Sequence, residues 1–173
     1  LCMEVTDKCY KCSLYEIPCM FLIPEVNNED KPIDWKVTAL KIAEKVDIAR
    51  VIKIALVHDL VYVYAGDTFA YDAKGYEDKD EREKMAADKL FGMLDDEQAA
   101  LFRALWDEFE EKSTPESRYA NAVDRLQPLL LNYLTDGHTW KLGDVHAPQI
   151  LQRMDIIRTA TPELWHIVEG VIS

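Results

Sequence analysis

The run Arg50-Val-Ile-Lys-Ile-Ala-Leu-Val-His58-Asp59-Leu-Val-Tyr62 decides how the rest of the chain is read. Ile48, Val51, Ile52 and Ala55 recur at the i, i+3, i+4, i+7 spacing of one helical face, which predicts an amphipathic helix. Carrying that face forward by three and four residues lands on His58 and Asp59. An aspartate is almost never buried alone, because removing a carboxylate from water costs several kcal/mol or forces it to protonate. A bound cation would remove that penalty. A buried His58-Asp59 ion pair would do so too, as would a helix end that has already reached solvent.

Around this run the grain is helical. Asp47 is placed to cap the helix, which should stop before Gly66. Upstream, Trp35, Ala39, Ile42, Ala43 and Val46 form another helical stripe, with Pro32 suited to the entry turn. Residues 1–31 read as irregular, with Pro18, Pro24 and the polar cluster Asn27-Asn28-Glu29-Asp30. The expected organisation is therefore an irregular segment over 1–31 and one helical domain over 32–173.

Downstream, the mixed charges of Lys79-Asp-Glu-Arg-Glu-Lys84 predict the solvated start of a helix continuing through Met85, Ala86, Leu90 and Phe91. Asp95-Asp96-Glu97 opens a helix with Leu101, Leu105 and Phe109 at helical spacing. Ser113-Thr-Pro-Glu116 is a restart signal, and a further helix runs from Arg118 to about Leu134. In it Asp124 shares a line with Ala120, Gln127, Pro128 and Leu131, an acid beside an inward stripe. Pro128 has no N–H for the Asp124 carbonyl, so a kink is expected there, serving either packing or the aiming of the carboxylate. Asp136 to Gly143 reads as a loop, followed by two closing helices around Ile150, Leu151, Met154 and Ile157, then Leu164, Trp165 and Val168.

Composition bounds the function. With 173 residues, 49% of them hydrophobic, the chain suits one domain able to bury about 70% of its unfolded surface. Lys plus Arg number 20 against 32 Asp plus Glu, a net charge of −12 that argues against gripping a nucleic-acid backbone. No apolar run approaches the roughly 18 residues of a membrane span, and the start lacks a signal peptide's order, so a soluble cytoplasmic protein is expected. All the cysteines (Cys2, Cys9, Cys12, Cys19) lie in the first segment. Cys9 and Cys12 form a C-x-x-C, but no second pair follows at zinc-finger spacing, so reduced thiols are favoured over a zinc knuckle.

The chain holds no phosphate-binding glycine loop, dinucleotide fingerprint, serine-hydrolase elbow or H-E-x-x-H. His58, Asp59, Asp67 and Asp124 remain as the candidate chemistry. Nitrogen and carboxylate donors of this kind suit one hard or borderline divalent ion (Mn, Co, Ni, Fe or Mg) better than a thiolate zinc site. Such an ion lowers a water's pKa and polarises a phosphoryl oxygen.

The sequence Leu56-Val-His58-Asp59-Leu-Val-Tyr-Val-Tyr-Ala-Gly66-Asp67-Thr68, followed by Thr114-Pro-Glu-Ser-Arg118 and Ala122-Val-Asp124-Arg-Leu-Gln-Pro128, resembles the HD-domain phosphohydrolases of the 5'-deoxynucleotidase branch. The resemblance covers about residues 35 to 170. It implies an all-α HD-domain helical bundle, commonly a homodimer, that releases phosphate from deoxyribonucleoside 5'-monophosphates. It further implies one divalent metal held by a first-motif His, the H-D pair and a distal Asp. His58, Asp59 and Asp124 match the last three of these ligands, and Asp67 matches an acid assigned to proton transfer.

Two departures stand out. Ile33 occupies the place of the first metal His, and Tyr62 that of a glutamate. A tyrosine is no carboxylate base at neutral pH, so such a member should turn over slowly. The rival expectation is a catalytically weakened module that binds a nucleotide or metal in the same pocket.

Overall fold

In the computed structural model, which describes residues 45–172, Asp47 begins the first helix as its residue type requires. Its carboxylate accepts the Arg50 N–H at 3.1 Å and caps α1 (Ile48–His58). Immediately after His58 the helix tightens into a 3₁₀ turn, Asp59–Val61, and continues as the short α2 (Tyr62–Ala65). Gly66 ends it at φ 74°, a backbone region that favours glycine. Residues 67–78 form a loop, and then come α3 (Lys79–Phe91), α4 (Asp96–Glu111), α5 (Pro115–Leu134), α6 (His138–Leu142) and α7 (Ala147–Ala160). A 3₁₀ turn, Pro162–Leu164, leads into α8 (Trp165–Ile172). Among the described residues there is no strand, and no helix is long and apolar enough to cross a membrane.

The expected face of α1 is rotated. Val51, Ile54, Val57 and His58 are buried, whereas Ile48, Ile52, Ala55 and Asp59 are exposed. The helix is apolar on two sides, and periodicity alone cannot say which side a neighbour covers. Leu101 on α4 faces out for the same reason, while Leu105 and Phe109 face in.

The start signals fare better. Asp95 caps α4 by accepting the Gln98 N–H, and Thr114 caps α5 in a reciprocal box with Ser117. Helix α5 begins at Pro115, slightly before the expected Arg118, and runs unbroken through Pro128 to Leu134. The Asp136 to Gly143 stretch, expected as loop, contains the short α6, entered through Gly137 at φ 71°. The irregular segment 1–31, its cysteines, Ile33 and the stripe from Trp35 to Ala43 lie outside the described residues.

Two core clusters share α5. Val51, Ile54, Val57 and Val61 pack with Ala86, Ala87, Phe91, Leu105, Trp106, Phe109 and Ala120. Ala122, Leu126, Leu129 and Leu130 pack with Ile150, Met154, Ile157, Leu164, Ile167 and Val168. Truncating a fully buried side chain such as Ile54 or Ile157 to alanine should cost about 2–5 kcal/mol. Asp124 sits on α5 just past the point where it passes from one cluster to the other, on the side that both leave open. Helices α1, α4 and α5 are further tied by buried Glu108, which accepts from Arg50 Nε at 3.1 Å and from the Thr114 hydroxyl at 2.6 Å. The Arg50 guanidinium and that hydroxyl hold the Glu108 carboxyl below its usual range against the opposing effect of burial.

Candidate metal and active site

The last turn of α1 delivers His58 to a buried position directly behind Asp59 and Asp124, which line an open cavity of about 540 Å³. Its ring stacks on Phe109 with centroids 4.0 Å apart, and Nδ1 lies 2.7 Å from the Ala55 carbonyl. A carbonyl only accepts, so Nδ1 carries a proton and Nε2 is turned toward the cavity side. There Nε2 lies 2.9 Å from Asp59 Oδ1 and 3.4 Å from Asp124 Oδ1. The buried face thus holds only the histidine, while Asp59 stands at its exposed rim. Burial pulls the imidazolium's pKa down, but hydrogen bonds to Asp124 and Asp59 and their charges outweigh it, pushing His58 up to about 10.

Among the described residues no three His, Cys, Asp or Glu side chains already enclose an ion-sized space. Asp59 and Asp124 both lie against Nε2. The donor chemistry still fits a divalent ion. A histidine fixed through Nδ1 to a carbonyl presents Nε2, flanked by two carboxylates from different elements.

Asp59, Tyr62, Asp67, Asp124, Gln127, Pro128 and Arg153 line the cavity, and Phe69, Tyr71 and Trp140 supply aromatic walls. The structure therefore brings together all four residues singled out in the sequence, His58 behind the wall and three carboxylates on it. Gln127 and Pro128 belong to this wall rather than to the core, which corrects the inward stripe expected for α5. Phe69 lies so close over Gly143 that a Cβ there would come within 2.8 Å of its ring. Burial raises the Tyr62 pKa, and Glu83, Asp59, Glu110 and Asp124 raise it further, so the phenol stays neutral and donates rather than accepts protons.

Several contributors were illegible in the sequence. Arg82, inside what reads as a solvated charge run, pins the loop that carries Asp67. It donates to the Ala65 carbonyl at 2.7 Å, to Thr68 Oγ1 at 3.0 Å and to the Gly75 carbonyl at 3.1 Å. Glu83 in the same run is buried, bonded to Lys79 Nζ at 2.6 Å, with Oε1 unpartnered among the described residues. Burial raises its pKa. Of the cations, Arg153 reaches the cavity; Lys74, Lys84 and Arg118 are exposed elsewhere.

Comparison with known proteins bears on the family and the fold. The HD domain family matches residues 36–165. The chain is 36% identical to the 5'-deoxynucleotidase HDDC2 of Danio rerio, over 47% of this chain and 40% of that protein. It is 29% identical to the 5'-deoxynucleotidase HDDC2 of Xenopus laevis, over 65% of this chain and 62% of that one. The matches thus span between 40% and 62% of these curated relatives. The crystal structure of a predicted metal-dependent phosphohydrolase from Magnetospirillum magnetotacticum superposes with a TM-score of 0.69 at 39% identity, covering 80% of this chain and 74% of that one. With an all-helical fold, an H-D pair at a cavity wall and a family match over most of its length, the chain belongs to the HD-domain family.

Proposed function

We propose that the protein is a metal-dependent phosphohydrolase acting on a small phosphomonoester, most specifically a deoxyribonucleoside 5'-monophosphate. The observation that carries this reading is the convergence of His58 Nε2 with Asp59 and Asp124, two carboxylates that line a cavity also lined by Asp67. In it, His58, Asp59 and Asp124 hold one divalent ion, which when bound supplies Lewis acidity toward a phosphoryl oxygen and a water. The two carboxylates offset the ion's charge, and the Ala55 carbonyl keeps the imidazole oriented. Asp67 takes the proton of the attacking water. Arg153 offers a guanidinium to a phosphate oxygen, and Phe69, Tyr71 and Trp140 shelter the ester's organic part. We further propose that the protein acts as a homodimer.

With Mn or Co supplied, purified protein should release phosphate from deoxynucleoside monophosphates, and Asp59→Ala should reduce the rate by at least about 10²-fold. Wild-type protein that retains metal yet releases no phosphate would overturn the enzyme reading. Tyr62 in place of the glutamate favours a second reading, a binding module using the same pocket, which that outcome would support.

A further inference from the structure

Beside the metal cavity lies a second recess of about 400 Å³, lined by Ala70, Tyr71, Tyr76, Arg125, Gln149, Gln152 and Arg153. Its lining, among the described residues, holds two guanidiniums and no carboxylate. Among the described residues Arg125 and Arg153 have no carboxylate within 4.0 Å, nor has exposed Arg118, whereas Arg50, Arg82, Arg103 and Arg158 each do. Arg125 is half-buried, and its one hydrogen bond runs from Nη1 to the Arg153 carbonyl at 2.8 Å, leaving Nε and Nη2 uncommitted. Arg153 Nη1 donates to the Tyr76 hydroxyl at 3.3 Å, so that phenol's own proton is available to another acceptor. Gln149 and Gln152 add amide donors at the mouth.

Two like charges sharing a partly dehydrated recess repel each other unless an anion sits between them. Asp124 and Glu110 act on Arg125 only from outside the recess, without a direct ion pair, and in a chain of net charge −12 such a pair of guanidiniums cannot serve general attraction of polyanions. Guanidiniums with free edges match the oxygens of a tetrahedral oxyanion through paired N–H donors.

We infer that this recess is a second binding site, for a phosphate-class oxyanion, held by Arg125 and Arg153 with Tyr76 and the two glutamines. The source is either free orthophosphate or the terminal phosphate of a nucleoside diphosphate. Arg153 lines both cavities, so an anion here engages the guanidinium that also faces the metal cavity. The site needs no metal and stands whether or not the proposed hydrolysis is correct.

The test uses the full chain carrying Asp59→Ala and stripped of metal, so that no phosphate is held through an ion. Inorganic phosphate and, separately, a nucleoside diphosphate are titrated calorimetrically at low ionic strength. Saturable one-to-one binding is expected, weakened at least about tenfold by Arg125→Gln through loss of a charge-assisted contact. Because Arg125 is half-buried and its variant can misfold, exposed Gln152→Glu serves as the second probe. Its carboxylate supplies the missing counter-charge and should weaken binding to a similar degree. Binding of phosphate alone identifies a free-ion site, and binding of the diphosphate with phosphate silent identifies a distal-phosphate site; either supports the inference. No saturable binding of either ligand, or binding unaffected by both substitutions, overturns it.

Discussion

His58 answers to two demands at once: its Nδ1 proton is fixed by a carbonyl, and its Nε2 is shared between two carboxylates. The two carboxylates raise its pKa to about 10 against the opposing effect of burial. The linked stability is full below the ordinary value of about 6.5 and is lost as pH rises through the folded value. A metal needs the neutral ring, so uptake at pH 7 should expel a proton, and the apparent affinity should strengthen roughly tenfold per pH unit between 7 and 9. Titrations of Mn or Co across that range, in buffers of different ionisation enthalpy, measure both quantities. A flat profile would remove His58 from the ligand set. Tyr62 poses the complementary question, because a neutral phenol stands at the cavity where the resemblance expects a carboxylate. Tyr62→Glu should raise kcat for phosphate release, on the order of 10²-fold if a proton-transfer group is restored. An unchanged kcat would place the deficit elsewhere.

At the level of elements, the site depends on a short loop held in place from outside. Residues 67–78 have little core of their own, and Arg82 on α3 ties both ends of the loop through Ala65, Thr68 and Gly75. Arg82→Ala should cost about 1–3 kcal/mol of stability, since it leaves these acceptors without their donor. The more telling readout is local: amide exchange should quicken across 66–78 and kcat should fall more than KM rises, because Asp67 loses its position. Uniform exchange with unchanged kcat would reduce Arg82 to an ordinary surface partner. The 3₁₀ turn at Asp59–Val61 belongs to the same scale. By tightening the chain directly after His58, it helps set Asp59 at the rim rather than on the buried face beside its neighbour.

For the whole molecule, helix α5 joins two core clusters, and the cavity opens where it crosses between them. The outer face of the first helices is less finished. Ile52, Leu56, Leu60 and Val63 stand out from α1, the 3₁₀ turn after it and α2 at helical spacing, with Leu56 69% and Val63 74% exposed. A strip of this size favours association, and the proposed homodimer would cover it. Leu56→Glu should then shift the protein toward monomer in light scattering while leaving the thermal transition within a few degrees. A wild-type monomer at micromolar concentration would sink the homodimer reading.

The all-helical class and the helix starts around Asp47, Asp95 and Thr114 were legible in the chain, as was the choice of His58, Asp59, Asp67 and Asp124 as candidates, which the fold gathers at one cavity. The helix starts rest on local physics, because capping side chains bond within their own turn; the candidate acids rest on motif spacing, since Asp59 proves to be exposed rather than buried. Which of α1's two apolar faces is buried was not legible, since that depends on α4 and α5 arriving against it. Nor was the burial of Glu83, Arg82's grip on the Asp67 loop, or the meeting of Arg125 with Arg153 across helices α5 and α7. Those are contacts between distant residues, and only the packing of helices brings such partners within reach.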